Sequence, residues 1–225
     1  ALHRVSVFGE QALLGASQRT VRKSVSAKAC SDETTVHDGA LIRAEEFFLS
    51  CNGAVVRSYR YRLNPSREQE RRLVTWLELT REFYNGALQE RRDAWKKQRV
   101  SVSRIAQENQ IPAVRGERGD LAEVSVVVLR GALRRLDRAF AAFFRRCKSG
   151  EKPGFPRFKS RGRFESILID DLCGKTSIVA GGKRVKIPLL GKVKFRQHRP
   201  IEGTPKAMRI TRDVADRWFV TFACV

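Results

Sequence analysis

The spacing of hydrophobic residues in the first patterned part of the chain is typical of a β-strand. Tyr59, Tyr61 and Leu63 alternate with Arg60 and Arg62. Successive side chains of a strand point to opposite faces, so residues 55–63 are predicted to form a strand with one apolar and one cationic face.

An amphipathic helix is predicted directly after this strand. The Asn-Pro pair at residues 64 and 65 ends the extension, because proline has no N–H for a strand ladder. Ser66 and Gln69 have the spacing of a capping box. From residue 73 onward hydrophobic residues recur every three or four positions, which predicts a helix over residues 66–98 with Gly86 as a candidate break.

A second helix is predicted at about residues 121–148, after a polar connector at residues 109–120. Its hydrophobic residues fall on one stripe, so the two helices are expected to pack against each other. Phe140, Phe143 and Phe144 belong to this stripe, which favours a place in the core over stacking on nucleic-acid bases.

Short strands separated by glycines are predicted from residue 166 onward. The segments are SILI, TSIVA, RVKIP, KVKFR, KAMRIT and RWFVTF. Several short strands with glycine turns are typical of a small antiparallel barrel, which the strand at residues 55–63 can complete. The predicted fold class is therefore α+β, with an antiparallel β-barrel interrupted by a helical insertion.

The positive charge is concentrated in this patterned part of the chain. The formal net charge is +21. Residues 1–54 carry six Lys or Arg and six Asp or Glu and show no sustained period, so the whole excess lies in residues 55–225. A field of this size attracts polyanions, of which nucleic acid is the usual one. A solvated basic surface without a ligand is the alternative.

The segment KPGFPRFKSRGR, residues 152–163, combines aromatic rings with cations. A ring can stack on a base while a neighbouring Lys or Arg neutralises a phosphate, which makes Phe155 and Phe158 candidate base contacts. The alternative is that both rings anchor this loop to the barrel.

The composition indicates a protein of a reducing compartment. Its five cysteines are scattered without a C-x-x-C pair, which argues against a zinc site and a disulfide framework. No apolar run approaches the roughly 18 residues of a membrane span. The first residues also lack the apolar core of a secretory signal. We predict a cytoplasmic protein.

Six segments, in this order, resemble the N-terminal half of the TnpB family. They are YRYRLNPSREQE, REFYNGAL, LRRLDRAFAAFFR, KPGFPRFKSRGR, KIPLLGKVKFRQHRPIEG and RWFVTF, within residues 55–225. TnpB proteins are OrfB-type transposases of insertion sequences, similar to compact type V CRISPR effectors. The resemblance implies an RNA-guided DNA endonuclease with guide RNA and double-stranded DNA as partners, acting on the nucleoid of a bacterial or archaeal cell.

The resemblance also implies a domain organisation. Residues 55–65 would be the first strand of a wedge-type barrel, residues 66–150 a helical recognition insertion of the helix-turn-helix type, and residues 151–225 the remainder of the barrel. Residues 1–54 are an unassigned leader, expected to be translated upstream sequence, with a native N-terminal extension as the alternative.

In the family, a RuvC-like nuclease domain with three metal-binding carboxylates follows a strand such as RWFVTFACV. No such segment is present, so we expect this chain to lack the nuclease domain, to hold no cofactor and not to cleave DNA alone. Divalent metal such as Mg²⁺ is expected only for the missing domain. Asp170 and Asp171 are expected to be turn or edge residues, because adjacent strand residues point to opposite faces.

Charge, aromatic character and the resemblance together give a set of candidate nucleic-acid-binding residues. They are Arg60, Arg62, Arg71, Arg81, Ser125, Arg130, Arg134, Lys152, Phe155, Arg157, Phe158, Lys159, Arg161, Arg163, Lys192, Lys194, Arg196, His198 and Arg199. By resemblance, Ser125 and Arg130 would face the short duplex motif beside the target. The family commonly has Gln at the position of Arg130, which leaves the motif itself open.

Two other functions fit the same pattern. One is a stand-alone nucleic-acid-binding regulator derived from a truncated element. The other is a basic RNA-binding protein of the ribosomal type, against which the long Phe-rich helix argues.

Overall fold

The computed structural model of the protein describes residues 57–170, 172, 177–179 and 183–225. The predictions on residues 1–54 and on Asp171 lie outside these residues. The helices are α1 (Arg67–Gln98), α2 (Arg104–Glu117), α3 (Gly119–Ala122) and α4 (Val126–Lys148). The strands are β1 (Arg57–Asn64), β2 (Ser166–Ile169), β3 (Ser177–Ile178), β4 (Arg184–Ile187), β5 (Gly191–Arg196), β6 (Pro205–Arg212) and β7 (Trp218–Cys224).

The described strands form one antiparallel sheet in the order β2-β6-β7-β1-β5-β4-β3. The first strand of the chain lies in the middle, between β7 and β5, so helices α1 to α4 are inserted between strands of a single sheet. On one face, the rings of Tyr61, Phe195 and Phe222 lie with centroids 5.4–6.1 Å apart. This face is part of the main hydrophobic core.

The mixed helical and antiparallel fold is confirmed, but the prediction of a closed barrel is wrong. The sheet is open, and within the described residues no ladder joins its two outer strands, β2 and β3. At one end α4 packs against β2 so closely that a Cβ on Gly131 would lie 1.9 Å from the carbonyl oxygen of Leu168. At the other end β3 is only two residues long. Helix α4 therefore lies against the terminal strand β2.

Helix α1 begins as the sequence predicts and then continues without the candidate break. The backbone N–H of Gln69 donates to Ser66 Oγ over 3.3 Å, and that of Ser66 donates to Gln69 Oε1 over 3.1 Å, which confirms the capping box. Gly86 lies inside the helix. Its neighbours Ala87 and Leu88 are completely buried, so packing on the core holds the helix together here.

The predicted connector at residues 109–120 is wrong, because most of this segment is helical. Helix α2 is capped by Ser103, whose Oγ accepts from the N–H of Ala106 over 3.2 Å. Ile111 and Val114 are buried on both sides of Pro112, so their burial offsets the cost of a proline inside the helix.

The second long helix starts at Val126, five residues later than predicted. Ser125 precedes it with an extended backbone, φ −61° and ψ 133°. As predicted, this helix packs against α1.

Buried polar side chains join α1, α2 and α4. Gln107 on α2 donates to Glu90 on α1 over 2.6 Å and accepts from Arg91 over 2.8 Å. Arg91 also contacts Asp137 on α4 over 3.3 Å. Burial raises the pKa of Glu90, because desolvation disfavours the carboxylate.

Among the residues that the structure describes, every helix is too short or too polar to cross a membrane.

Candidate nucleic-acid interface

Strands β1, β5 and β4 place seven cations on the exposed face of the sheet. Exposed and buried residues alternate along these strands, and the exposed positions include Lys or Arg in each of them. We call this surface the cationic sheet face; it consists of Arg60, Arg62, Arg184, Lys186, Lys192, Lys194 and Arg196. Five of the seven were predicted as binding residues from the sequence.

The strand register sets like charges directly opposite one another on this face. Arg62 lies opposite Arg196. Between β4 and β5, Arg184 lies opposite Lys194 and Lys186 lies opposite Lys192. Like charges in direct cross-strand positions repel and destabilise a sheet.

No acidic side chain relieves this repulsion from within the strands. Strands β1, β4 and β5 contain no Asp or Glu. Within the described part of the chain, none of the ion pairs involves a residue of the cationic sheet face. The face is therefore an unneutralised cationic surface on a rigid element.

An aromatic ring borders the cationic sheet face on β7. Phe219 lies opposite Arg62 in the ladder between β1 and β7. The guanidinium carbon of Arg60 lies 4.1 Å from the centroid of this ring, and that of Arg217 lies 5.9 Å from it. Cation–π contact of this kind holds the guanidinium of Arg60 against the sheet surface.

Asn85 of α1 holds the loop at residues 152–160 by hydrogen bonds to its backbone. Asn85 Oδ1 accepts from the backbone N–H of Lys159 over 2.8 Å, and Asn85 Nδ2 donates to the carbonyl oxygen of Lys159 over 3.0 Å. Sequence analysis missed this role. Asn85 lies in the segment REFYNGAL and Lys159 in the segment KPGFPRFKSRGR, both of which the sequence analysis recognised. The contact between the two segments becomes visible only in the fold.

The aromatic residues of this loop pack on the helices, so the alternative of an anchor to the barrel is wrong. The Phe155 ring meets the rings of Phe140 and Phe143 edge-on, with centroids 5.5 and 5.3 Å away. The guanidinium carbon of Arg92 on α1 lies 5.1 Å from the ring centroid of Phe158. The loop thus lies between the ends of α1 and α4.

Phe144 is exposed, contrary to the prediction that it belongs to the core. Its side chain is on the outside of α4 and is 55% exposed, whereas Phe140 is partly buried against the core. Phe155 and Phe158 are 43% and 44% exposed. We call Phe144, Phe155 and Phe158 the aromatic patch.

Several of the other predicted residues have contacts within the protein. Arg161 pairs with Glu78 over 3.0 Å, and Arg81 pairs with Glu82 over 3.5 Å. The guanidinium carbon of Arg199 lies 5.0 Å from the ring centroid of Tyr59, and the His198 ring lies 5.2 Å from that of Tyr61. Ser125 is only 3% exposed. The structure places the following predicted cations at the surface without an ion pair among the described residues: Arg71, Arg130, Lys152, Arg157 and Arg163.

Asp170, expected from the sequence to be a turn or edge residue, is an ion-pair partner of α4. Its carboxylate lies 3.5 Å from Arg134 and 3.1 Å from Arg138. Its side chain is 7% exposed, so these pairs neutralise a buried charge. Among the described residues, no group of three or more His, Cys, Asp or Glu side chains is placed to hold a metal ion.

A third arginine of α4 also fixes this helix to β2. Arg135 donates to Ser166 Oγ over 2.6 Å, and its guanidinium carbon lies 4.7 Å from the ring centroid of Phe164. Desolvation lowers the pKa of Arg135 to about 10, so the side chain stays cationic at neutral pH. Its role is structural, between the helix and the edge of the sheet.

Comparison with known proteins gives the following similarities. Residues 55–99 match the family model of a helix-turn-helix domain named for OrfB of IS605. A Streptomyces pristinaespiralis protein named "Putative RNA-guided DNA endonuclease" is 31% identical over 174 residues, which cover 76% of this chain and 42% of that protein. The "Cryo-EM structure of the Cas12f1-sgRNA-target DNA complex" aligns with a TM-score of 0.42 and 14% identity, over 76% of this chain and 48% of that one.

The fold and its exposed face define a mixed helix and sheet protein with an unneutralised cationic surface. The family model and the curated relative confirm the resemblance to TnpB-type proteins that the six sequence segments indicate. Residues 57–99 of the region matched by the family model form β1 and α1. The match spans 42% of the length of the curated relative.

Proposed function

We propose that the chain is the nucleic-acid-binding part of a transposon-associated RNA-guided DNA endonuclease, with guide RNA and duplex DNA beside the target as its partners. The observation that carries the proposal is the set of like-charge pairs on the cationic sheet face. Phosphates bound there would remove the repulsion between the paired cations, and their condensed counterions would be released.

The helical insertion has a separate part in this proposal. Arg130 is exposed on α4, whereas Ser125 is buried at the start of the helix. We therefore assign contact with the duplex motif to Arg130 and assign Ser125 to holding the helix terminus, where its carbonyl oxygen accepts from the N–H of Val128 over 2.9 Å.

The remaining expectations belong to the same proposal. Residues 55–65 and 151–225 form a wedge-type unit around the insertion at residues 66–150. Divalent metal serves the nuclease domain of longer relatives, and the chain acts in the cytoplasm on the nucleoid of its cell. The resemblance supports these points.

A charge-matched pair of variants tests the proposal. Arg62→Gln/Lys194→Gln removes two cations from the cationic sheet face, and Arg67→Gln/Lys206→Gln removes two exposed cations elsewhere. If both face residues contact phosphates, the first variant should bind single-stranded RNA and duplex DNA about 30-fold more weakly than wild type at 0.1 M salt. The control should lose much less affinity. Equal losses in both variants would show that only net charge matters and would remove the face from the proposal.

A further inference from the structure

The aromatic patch exposes three phenyl rings near the ends of α1 and α4, where Phe155 and Phe158 both lie near Arg92. Phe144 contacts Phe140 and Phe143, with ring centroids 6.3 and 5.2 Å away. The same two rings support Phe155 from the loop. Phe144 and Phe155 therefore rest on a layer of other rings, which fixes their positions, and the guanidinium of Arg92 lies against the Phe158 ring.

The surroundings of the aromatic patch are strongly cationic. Residues 92–99, at the end of α1, carry four Lys or Arg and one Asp. Residues 144–159, which include the end of α4 and the loop, carry six Lys or Arg and one Glu. The single Glu in the second segment, Glu151, lies 4.0 Å from Arg146, so it offsets little of this charge.

This combination selects one kind of partner. A polyanion complements the cationic rim, and exposed ring faces complement flat apolar groups. Single-stranded nucleic acid offers both, because its bases present open π-faces beside phosphates. In a duplex those faces are covered by neighbouring base pairs. An apolar protein surface would match the rings but would leave the surrounding cations without partners.

We infer that the aromatic patch binds the unpaired bases of a single-stranded nucleic-acid segment, with Phe144 as its most exposed stacking ring. The inference rests on the proposed nucleic-acid binding and adds a second surface to it. The cationic sheet face then binds the phosphate backbone of single strands and duplexes alike, and the aromatic patch distinguishes single strands from duplexes.

Two substitutions at one position separate stacking from apolar contact. Phe144→Leu keeps an apolar side chain but removes the π-face, whereas Phe144→Trp enlarges the π-face. The probe is a labelled oligo(A) RNA of about 12 nucleotides, used alone and as a duplex with its complement. Phe144→Leu should bind the single strand about 5- to 100-fold more weakly, with an unchanged salt slope, and should bind the duplex like wild type. Phe144→Trp should bind the single strand at least as tightly as wild type.

A fluorescence measurement guards against an effect on folding. Trp76 and Trp218 are buried and Trp95 is exposed, so wild type gives the background signal. In Phe144→Trp, the introduced indole should be quenched by oligo(A) beyond that background, because a stacked base lies against it. Absence of extra quenching would overturn the inference even if Phe144→Leu proved unstable.

The two proposals fail in different ways. If Phe144→Leu binds the single strand like wild type while Arg62→Gln/Lys194→Gln is still impaired, the inference about the aromatic patch is wrong and the proposed function stands. If neither variant changes binding, both proposals are wrong.

Discussion

The contact between α4 and β2 leaves no room for a side chain at Gly131. A Cβ at this position would lie 1.9 Å from the carbonyl oxygen and 2.9 Å from the carbonyl carbon of Leu168. Both atoms are backbone, so no rotamer change can relieve the overlap. Gly131→Ala must therefore move α4 away from β2 by about 1.5 Å to restore an ordinary contact.

Two opposing terms decide the size of the effect. Replacing glycine by alanine inside a helix gains about 1 kcal/mol, because the unfolded chain loses less entropy on folding. Forcing extra volume into a packed contact typically costs about 1–3 kcal/mol and occasionally more. The movement also stretches the hydrogen bond from Arg135 to Ser166 and the ion pair between Arg138 and Asp170, which span the same interface. We expect a net loss of about 1–3 kcal/mol in the free energy of unfolding.

Urea unfolding followed by circular dichroism measures this loss, and α2 supplies the control. Outside the backbone of its own helix, Gly116 has no neighbouring atom within 4 Å of the position that a Cβ would occupy. Gly116→Ala should therefore be neutral or stabilising by up to about 1 kcal/mol. A Gly131→Ala protein as stable as wild type would refute the close approach of helix and strand.

The remaining predictions concern the loop and the buried polar contacts. Asn85→Ala removes two hydrogen bonds to Lys159, so the free energy of unfolding should fall by about 1–2 kcal/mol. Trypsin should also cleave the variant faster at residues 157–163. Unchanged cleavage would show that other contacts hold the loop. Burial raises the pKa of Glu90 in the folded state, so this group's contribution to stability falls as pH rises from its ordinary value of 4.5 through the raised value. Glu90→Gln should remove that fall, as seen by thermal unfolding at several pH values, and an unchanged pH profile would contradict the shift.

The strands and the long helices could be predicted because each follows a local period. The alternation in KVKFR and the capping box at Ser66 involve only residues that are close in sequence. Packing in the folded protein leaves the strand and the helix start that these patterns predict unchanged. The segment at residues 109–120 was predicted to be a connector because it is polar and rich in glycine and charge. Only the burial of Ile111 and Val114 on the fold makes that segment helical.

The candidate site was predictable in its residue types but not in its arrangement. The exposed cations of β1 and β5 follow from alternation alone. Their direct opposition, as between Arg62 and Arg196, depends on the strand register, which a single sequence does not fix. The open sheet, the hydrogen bonds between Asn85 and the loop and the exposure of Phe144 all depend on contacts between residues far apart in sequence.

The salt dependence of RNA binding shows whether nucleic acid binds the cationic sheet face, because it counts the phosphate contacts made there. Lys192→Gln/Lys194→Gln/Arg196→Gln removes three cations of β5 that point to this face. If all three contact phosphates, the slope of log Kobs against log salt between about 50 and 200 mM should become shallower by about 2 to 3 units. A slope equal to that of wild type would show that nucleic acid does not bind this face.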